Sequence, residues 1–534
     1  MNFRKFLTGF MLFLLFPAFG QVILPDFIAN SPADNVNGVG RTAVSVGNGD
    51  FAIGWQDFND YTVPVTEIPR VGVQRFSAAG NRIGLINLFR GESRNLSIWT
   101  GDYLTSQIDM DFLPGGTLLV GVSHEGWLAV GSDDVWSAEV GFGAVSATGE
   151  IIDISNQNGV VYWLIPLDWD DAYNIRLAVT PTGEFIAVMN GPTWATGRDA
   201  VGIQEFDANG NEVGSFFVPH SNDPSPNAYH RVPDIATSGT LHLVVWQDSR
   251  QDNNFDITGQ FYTSNGPLGG NFRINAGDPG GTLNIYPSVA MNAAGNSVVV
   301  WADNRNNSAG EIWGQRYNAS GQAVGANFQV SAAQGEIWDR PEVAMRNDGS
   351  FMVVWTDSMS GISGVEALRA RARQYNAAGN PTSSPQILPS LDIGSGLADV
   401  ASDGSLYYCS WLDTRTNNTA NVYGKVLGDL VSAIEPLGNS VPGDFHLAQN
   451  YPNPFNPETT IEFALPHSGS AQLRIYNSSG QLVRELVNQP LAAGQYALHW
   501  DGTNDRGEAV SSGVYLYQLR SGSFQEARKM MLVR

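Results

Sequence analysis

The sequence predicts an all-β fold, a seven-bladed β-propeller followed by a small immunoglobulin-like β-sandwich, and three observations predict it. A tryptophan-centred unit recurs: Val244-Val245-Trp246-Gln247-Asp248-Ser249-Arg250, Val299-Val300-Trp301-Ala302-Asp303-Asn304-Arg305, Val353-Val354-Trp355-Thr356-Asp357-Ser358 and Cys409-Ser410-Trp411-Leu412-Asp413-Thr414-Arg415. Past residue 20 no segment of useful length has helical periodicity. Residues 445–534 abandon the repeat and alternate apolar and polar positions as the strands of a sandwich do.

The four tryptophans lie 55, 54 and 56 residues apart, which sets the length of a unit. Ahead of each runs a strand with a consistent start: Pro233-Asp234-Ile235-Ala236, Pro287-Ser288-Val289-Ala290, Pro341-Glu342-Val343-Ala344 and Ala398-Asp399-Val400-Ala401. Proline fits the first residue of a strand, where no ladder donor is lost. The tryptophan strand comes second. A third follows, as in Ile257-Thr258-Gly259-Gln260-Phe261-Tyr262 before the turn Asn265-Gly266, and a fourth, as in Asn271-Phe272-Arg273-Ile274 or Asn327-Phe328-Gln329-Val330. Three looser units precede these. The first holds Trp55-Gln56-Asp57, the second Leu118-Leu119-Val120 with Val140-Gly141-Phe142, and the third Phe185-Ile186-Ala187-Val188. A four-stranded unit cannot bury both faces alone, and radial stacking to closure buries them while leaving only short edges. An open array would expose two apolar ends. Val22-Ile23-Leu24 is expected to pair with the last unit, whose own fourth strand is weak.

Each repeated tryptophan reads as packing between units, and each aspartate as a cap on backbone amides, paired with the following arginine where there is one. The alternative is a ring of carboxylates holding calcium, densest at Asp248, Asp252, Asn254 and Asp256. That cluster lacks the glycine and terminal glutamate of an EF-hand loop, so no metal site or cofactor is expected.

Arg4 and Lys5, an apolar run from Phe6 to Phe16 and the small residues before Gln21 make residues 1–20 a secretory signal peptide, cut between Gly20 and Gln21. No other stretch is apolar enough to cross a bilayer. The single cysteine, Cys409, excludes a disulfide framework. With 52 acidic against 29 basic residues and a net charge of −23, the composition argues against nucleic acid and anionic lipid as partners.

Catalytic motifs are missing: there is no GxSxG, HExxH, CxxC or phosphate-binding glycine loop, and the seven histidines follow no metal spacing. No catalytic residue is assigned. Loop carboxylates could still be paired for glycoside hydrolysis, which depends on spatial separation alone. Ligand binding is expected in the stretched early units, where Trp99, Tyr103, Trp169, Asp170, Asp171, Tyr173 and Trp194 set aromatic rings beside carboxylates. Sugar rings stack on such aromatics. Trp163, in an apolar run, reads as a core residue of a fourth strand.

Residues 431–444, including Glu435-Pro436-Leu437-Gly438, form a linker that separates a propeller at 21–430 from a terminal domain at 445–534. That domain opens with Asn450-Tyr451-Pro452-Asn453-Pro454-Phe455-Asn456-Pro457. It continues through Trp500-Asp501-Gly502 and Ser512-Gly513-Val514-Tyr515 and ends at Lys529-Met530-Met531-Leu532-Val533-Arg534. In order and spacing these motifs resemble the C-terminal sorting domain of type IX secretion, in its FlgD-like immunoglobulin form. The resemblance implies export across an outer membrane, with the secretion machinery as partner and Gly513, Tyr515, Lys529 and Arg534 in the region it reads. The combined expectation is a secreted or surface-held protein whose propeller loops bind polysaccharide or protein. The alternatives are a polysaccharide hydrolase using loop carboxylates and a structural component of a surface layer.

Overall fold

The computed structural model of the chain describes residues 22–30, 41–57, 70–90, 105–130, 133–152, 162–163, 173–192, 199–219, 228–250, 255–277, 282–306, 310–331, 340–358, 368–382, 385–389, 395–416, 419–428 and 435–436. It also describes 442–533 apart from 457–458, 468, 492, 501, 503, 505–509 and 523. The chain forms two compact units, Val22–Leu430 and the region from Val431 onward. Every described element is a strand, and among the described residues no helix is long and apolar enough to cross a membrane.

The larger unit holds seven antiparallel sheets. Blade 1 comprises Thr42–Gly47, Asp50–Asp57, Arg70–Ser77 and Arg82–Arg90. Blade 2 has Thr105–Phe112 and the long strands Leu118–Val130 and Asp133–Val145, with Ile151–Ile152 and Tyr162–Trp163 sharing the outermost position. Trp163 therefore does lie in a fourth strand. Blade 3 runs through Tyr173–Val179, Phe185–Pro192, Asp199–Phe206 and Glu212–Phe217. Blade 4 is His230–Thr237, His242–Asp248, Asp256–Thr263 and Gly266–Arg273. Blade 5 is Asn284–Met291, Ser297–Asp303, Glu311–Tyr317 and Ala323–Gln329. Blade 6 is Glu342–Met345, Phe351–Ser358, Leu368–Tyr375 and Gln386–Ile387. Blade 7 is Ser395–Ser402, Tyr407–Thr416 and Thr419–Leu427, and its fourth strand is the N-terminal Val22–Ile28.

Burial explains why the second strands are valine runs. In His242–Asp248 and Ser297–Asp303 every residue is buried, because neighbouring blades cover both faces. The fourth strands face solvent, and Glu212–Phe217 and Ala323–Gln329 each begin with four exposed residues. First strands from all seven blades surround the axis. The ring closes where Val44 of blade 1 donates its amide to Asp399 of blade 7 and Thr42 Oγ1 donates to the Leu397 carbonyl.

The expected place of the prolines needs correcting. Pro233 and Pro287 lie inside their strands, at bulges where the register slips between Arg231 and Asp234 and between Ile285 and Ser288. A bulged residue has no ladder partner, so proline costs nothing there. The residue before each is left-handed, Val232 at φ 49° and Tyr286 at φ 58°, and Asn174 and Leu397 repeat this in blades 3 and 7. The side chain that follows the bulge, Arg176, Asp234, Ser288 or Asp399, lines the axial pocket.

The smaller unit is a sandwich of two four-stranded sheets. One orders Glu435–Pro436, Gly494–Trp500, Thr459–Leu465 and His446–Leu447; the other orders Leu482–Leu491, Gly469–Asn477, Gly513–Ser521 and Phe524–Leu532. Phe455, Phe463, Leu473, Trp500, Tyr517 and Leu532 fill the space between them. Part of the expected linker is thus an edge strand: Glu435 and Pro436 pair with Ala497 and Tyr496, an edge being where proline is tolerated.

Candidate functional site

A cavity of about 120 Å³ lies on the propeller axis, and first strands of all seven blades contribute to its wall. Every blade but the fifth supplies a charged group to it: Arg41, Asp109, Arg176, Asp234, Glu342 and Asp399, with Arg340 behind them. Three guanidiniums converge on one carboxylate. Glu342 Oε1 lies 3.3 Å from Arg41 Nη1, 3.2 Å from Arg176 Nη2 and 3.3 Å from Arg340 Nε, while Oε2 accepts from Ser288 Oγ at 2.8 Å. Asp234 pairs with Arg340 at 3.1 Å and Arg176 at 3.4 Å, and Arg176 comes within 3.9 Å of Asp109.

The carboxylates also join blade to blade. Asp109 and Asp111 of blade 2 accept the amides of Leu177 and Val179 in blade 3, at 2.6 and 2.8 Å. Asp234 of blade 4 accepts Val289 of blade 5 at 2.7 Å, and Asp399 of blade 7 accepts Val44 of blade 1 at 2.7 Å. Burial pushes Asp109 up to about 7 against the downward pull of Arg176, and pushes Asp111 up to about 6. Asp399 is raised well above the usual carboxylate range by burial and by neighbouring Glu342. Burial acts upward on Glu342 too, but its arginines prevail and hold it low.

Sequence reading missed this constellation. Its signal was the polar residue at the second position of Pro-Asp-Ile-Ala, Pro-Ser-Val-Ala, Pro-Glu-Val-Ala and Ala-Asp-Val-Ala, the same place in each unit. One polar residue per inner strand, at one level, must form a ring around the axis.

Of the expected ligand residues, Trp99, Tyr103, Trp169, Asp170, Asp171 and Trp194 lie outside the described residues. Tyr173 is not in a loop: its backbone begins the first strand of blade 3, opposite Asn190. Gly20 and Gln21 lie outside the described residues as well.

The Trp-x-Asp-x-Arg unit is a closed hydrogen-bond set. Trp246 Nε1 donates to Asp248 Oδ2 at 3.1 Å, and Arg250 reaches the same carboxylate with Nε at 2.7 Å and its own amide at 3.0 Å. Trp301, Asp303 and Arg305 repeat it, with 3.2 Å from indole to carboxylate. In the cluster around Asp248, Asp252 and Asn254 lie outside the described residues, and Asp256 is held by Asn275 and Arg273. Among the described residues no group of three or more His, Cys, Asp or Glu side chains is placed to hold a metal ion. Cys409 is buried, and burial pushes its thiol up to about 12, far from a nucleophile.

In the sandwich, the proline-rich motif is fastened down. Asn450 is buried; its backbone amide donates to Tyr517 Oη at 2.9 Å, and its side-chain amide donates to Thr459 Oγ1 and the Pro452 carbonyl. The Tyr451–Pro452 and Asn453–Pro454 peptides are cis. Phe455 is buried against Trp500 and bridges Leu532, its amide donating to the Met531 carbonyl, while Asn453 Oδ1 accepts the Met531 amide. Tyr515 is buried, Gly513 and Lys529 are exposed, and Arg534 lies outside the described residues.

Residues 454–523 match the FlgD Ig-like domain family. No curated protein matches the chain. Among solved structures, the chain is similar to a protein of unknown function from Dyadobacter fermentans, at 11% identity over 76% of this chain and 98% of that one, with a TM-score of 0.39. It is also similar to the GH93 α-L-arabinofuranosidase of Fusarium graminearum, at 12% identity over 77% and 98% and a TM-score of 0.41. A mutant of Trypanosoma rangeli sialidase matches at 8% identity over 86% of each chain, with a TM-score of 0.35. At such distances the chemistry of the axial pocket has to be read from its own residues.

Proposed function

We propose that the chain is an exported extracellular binding protein. In this reading the propeller presents a ligand surface for polysaccharide or protein, and the terminal sandwich is a type IX sorting domain that carries it out of the cell. One observation favours binding over turnover. The axial carboxylates are already engaged: Glu342 by three arginines, Asp234 by two, and Asp109 and Asp399 by backbone amides of the next blade. A general base needs a free oxygen facing its substrate, and these oxygens hold the ring together. The mature full-length chain, screened on glycan and protein arrays, is expected to bind without releasing product. Trp169→Ala and Tyr173→Ala should each weaken that binding about tenfold, by loss of one stacked ring. Unchanged affinity in both variants would overturn the aromatic surface.

A specific observation also favours the hydrolase reading. The Asp109 side chain keeps 21% exposure, and burial raises its carboxyl to about 7 against the pull of Arg176, the direction a general acid needs. Release of reducing sugar from a polysaccharide, abolished in Asp109→Asn, would replace the binding reading. The sorting role is tested in a host with type IX machinery, where removing residues 445–534 should leave the protein in the periplasm.

A further inference from the structure

At two joints, between blades 2 and 3 and between blades 7 and 1, backbone amides hold a carboxyl that has no ion pair among the described residues. These are Asp111 in the first and Asp399 in the second; of the two, Asp399 lines the axial pocket. The axial network sets four carboxylates, Asp109, Asp234, Glu342 and Asp399, against three guanidiniums, Arg41, Arg176 and Arg340. The arginines are spent on Glu342, Asp234 and, at 3.9 Å, Asp109. Asp399 has no ion-pair partner among the described residues. Its two oxygens accept only amides, Val44 across the joint and Val400 on its own strand, each at 2.7 Å. The groups facing it from the other blades are Arg41, Asp109, Arg176, Asp234 and Glu342, with Arg340 beyond; blade 5 offers only the Ser288 hydroxyl. Behind it, on the second and third strands of blade 7, are Cys409 and Lys425. The lysine is occupied by Asp26 at 3.2 Å and by the Leu388 carbonyl.

We propose that the joint between the first and seventh blades is a proton-dependent latch, in which Asp399 carries the proton that balances the axial charge and releases it when the joint opens. Closed, the carboxyl is desolvated beside the Glu342 carboxylate. Open, it meets water and ionises. The upward shifts of Asp399 and Asp109 agree in sign. A group raised in the folded state lends stability below its unfolded value and loses it as pH climbs toward the folded one. The window therefore opens at about pH 4, the ordinary carboxylate value, and runs upward to the raised value of the buried carboxyl. The same joint receives the N-terminal strand Val22–Ile28, so the latch also governs how firmly the ring is shut around the pocket. This inference is independent of which ligand the protein binds.

Hydrogen exchange of the mature chain, followed by mass spectrometry between pH 5 and 8 and corrected for intrinsic rates, tests it. If opening releases one proton, the opening equilibrium of peptides covering 22–30 and 42–47 rises about tenfold per pH unit, while a peptide covering 297–303 in blade 5 does not follow. In Asp399→Asn, whose amide oxygen still accepts from Val44, that slope should vanish. A flat wild-type profile, or an unchanged slope in the variant, overturns the proposal. Should the variant fail to fold, Asp109→Asn decides instead: with that carboxyl removed, a protonated-carboxyl infrared band persisting near neutral pH supports the latch, and its absence overturns it.

Discussion

At the scale of single residues the repeat tells two stories, only one of which is local. Of Trp-x-Asp-x-Arg, the buried tryptophan and the aspartate–arginine pair were legible, because the partners lie two residues apart. The bond from the indole N–H to the aspartate, which gives the buried donor its acceptor, was not read. Asp303 is 2% exposed and serves both Trp301 and Arg305. Asp303→Ala would strand the indole N–H and a guanidinium that is itself 8% exposed, and should cost about 3–5 kcal/mol. A urea titration of the full chain checks this; a loss under 1 kcal/mol would mean that water replaces the carboxylate at no expense. The axial ring was not legible in the same way. Asp109, Asp234, Glu342 and Asp399 are far apart in sequence, and only closure of the ring makes them neighbours. Their signature, a polar residue at a fixed place in an apolar strand, was visible but attributed to no partner.

Between strands, the clearest lesson concerns the N-terminal segment. Its pairing with the last blade was expected from Val22-Ile23-Leu24, but the better signal lies four residues on. Asp26-Phe27-Ile28-Ala29-Asn30 has the pattern of Asn271-Phe272-Arg273-Ile274-Asn275 and Asn327-Phe328-Gln329-Val330-Ser331, so it is a displaced fourth strand. The structure repeats the correspondence contact by contact. Phe27 lies over Gly424 as Phe272 lies over Gly259 and Phe328 over Gly314, places where a Cβ would meet the ring at 2.4, 3.0 and 2.7 Å. Asn30 Oδ1 accepts the Val422 amide as Asn275 Oδ1 accepts that of Ile257. One pair has changed its chemistry. Asn271 with Gln260, and Asn327 with Gln315, become Asp26 with Lys425. With side chains 7% and 10% exposed, either charge left alone is costly. Asp26→Asn and Lys425→Gln should each destabilise the propeller by about 3 kcal/mol. The double variant, which restores the neutral pair of blades 4 and 5, should recover at least half of the summed loss. Additive losses in chemical denaturation would refute the equivalence.

For the molecule as a whole, fold class and blade count could be read from spacing, because a unit that cannot bury itself must stack, and stacking without exposed ends must close. The boundary was less legible: Glu435-Pro436 reads as linker by composition, yet it joins a sheet of the sandwich, since a two-residue edge strand needs no apolar pattern. The early units were the hardest, because blade 2 divides its outer strand in two and so breaks the repeat. Each unit encloses its own core, Trp500 and Phe455 in one and the stacked blades in the other, so the two should melt as separate cooperative bodies. Unfolding enthalpy grows with residue number at about 0.7 kcal/mol per residue. The propeller spans Val22–Leu430 and the sandwich Val431–Arg534, so calorimetry of the mature chain should resolve two transitions with enthalpies near a ratio of about four to one. Removing residues 22–30 should weaken only the larger transition, since that strand belongs to blade 7 alone. A single transition carrying the whole enthalpy, or a shift of both on removing that strand, would mean that the two bodies share stability.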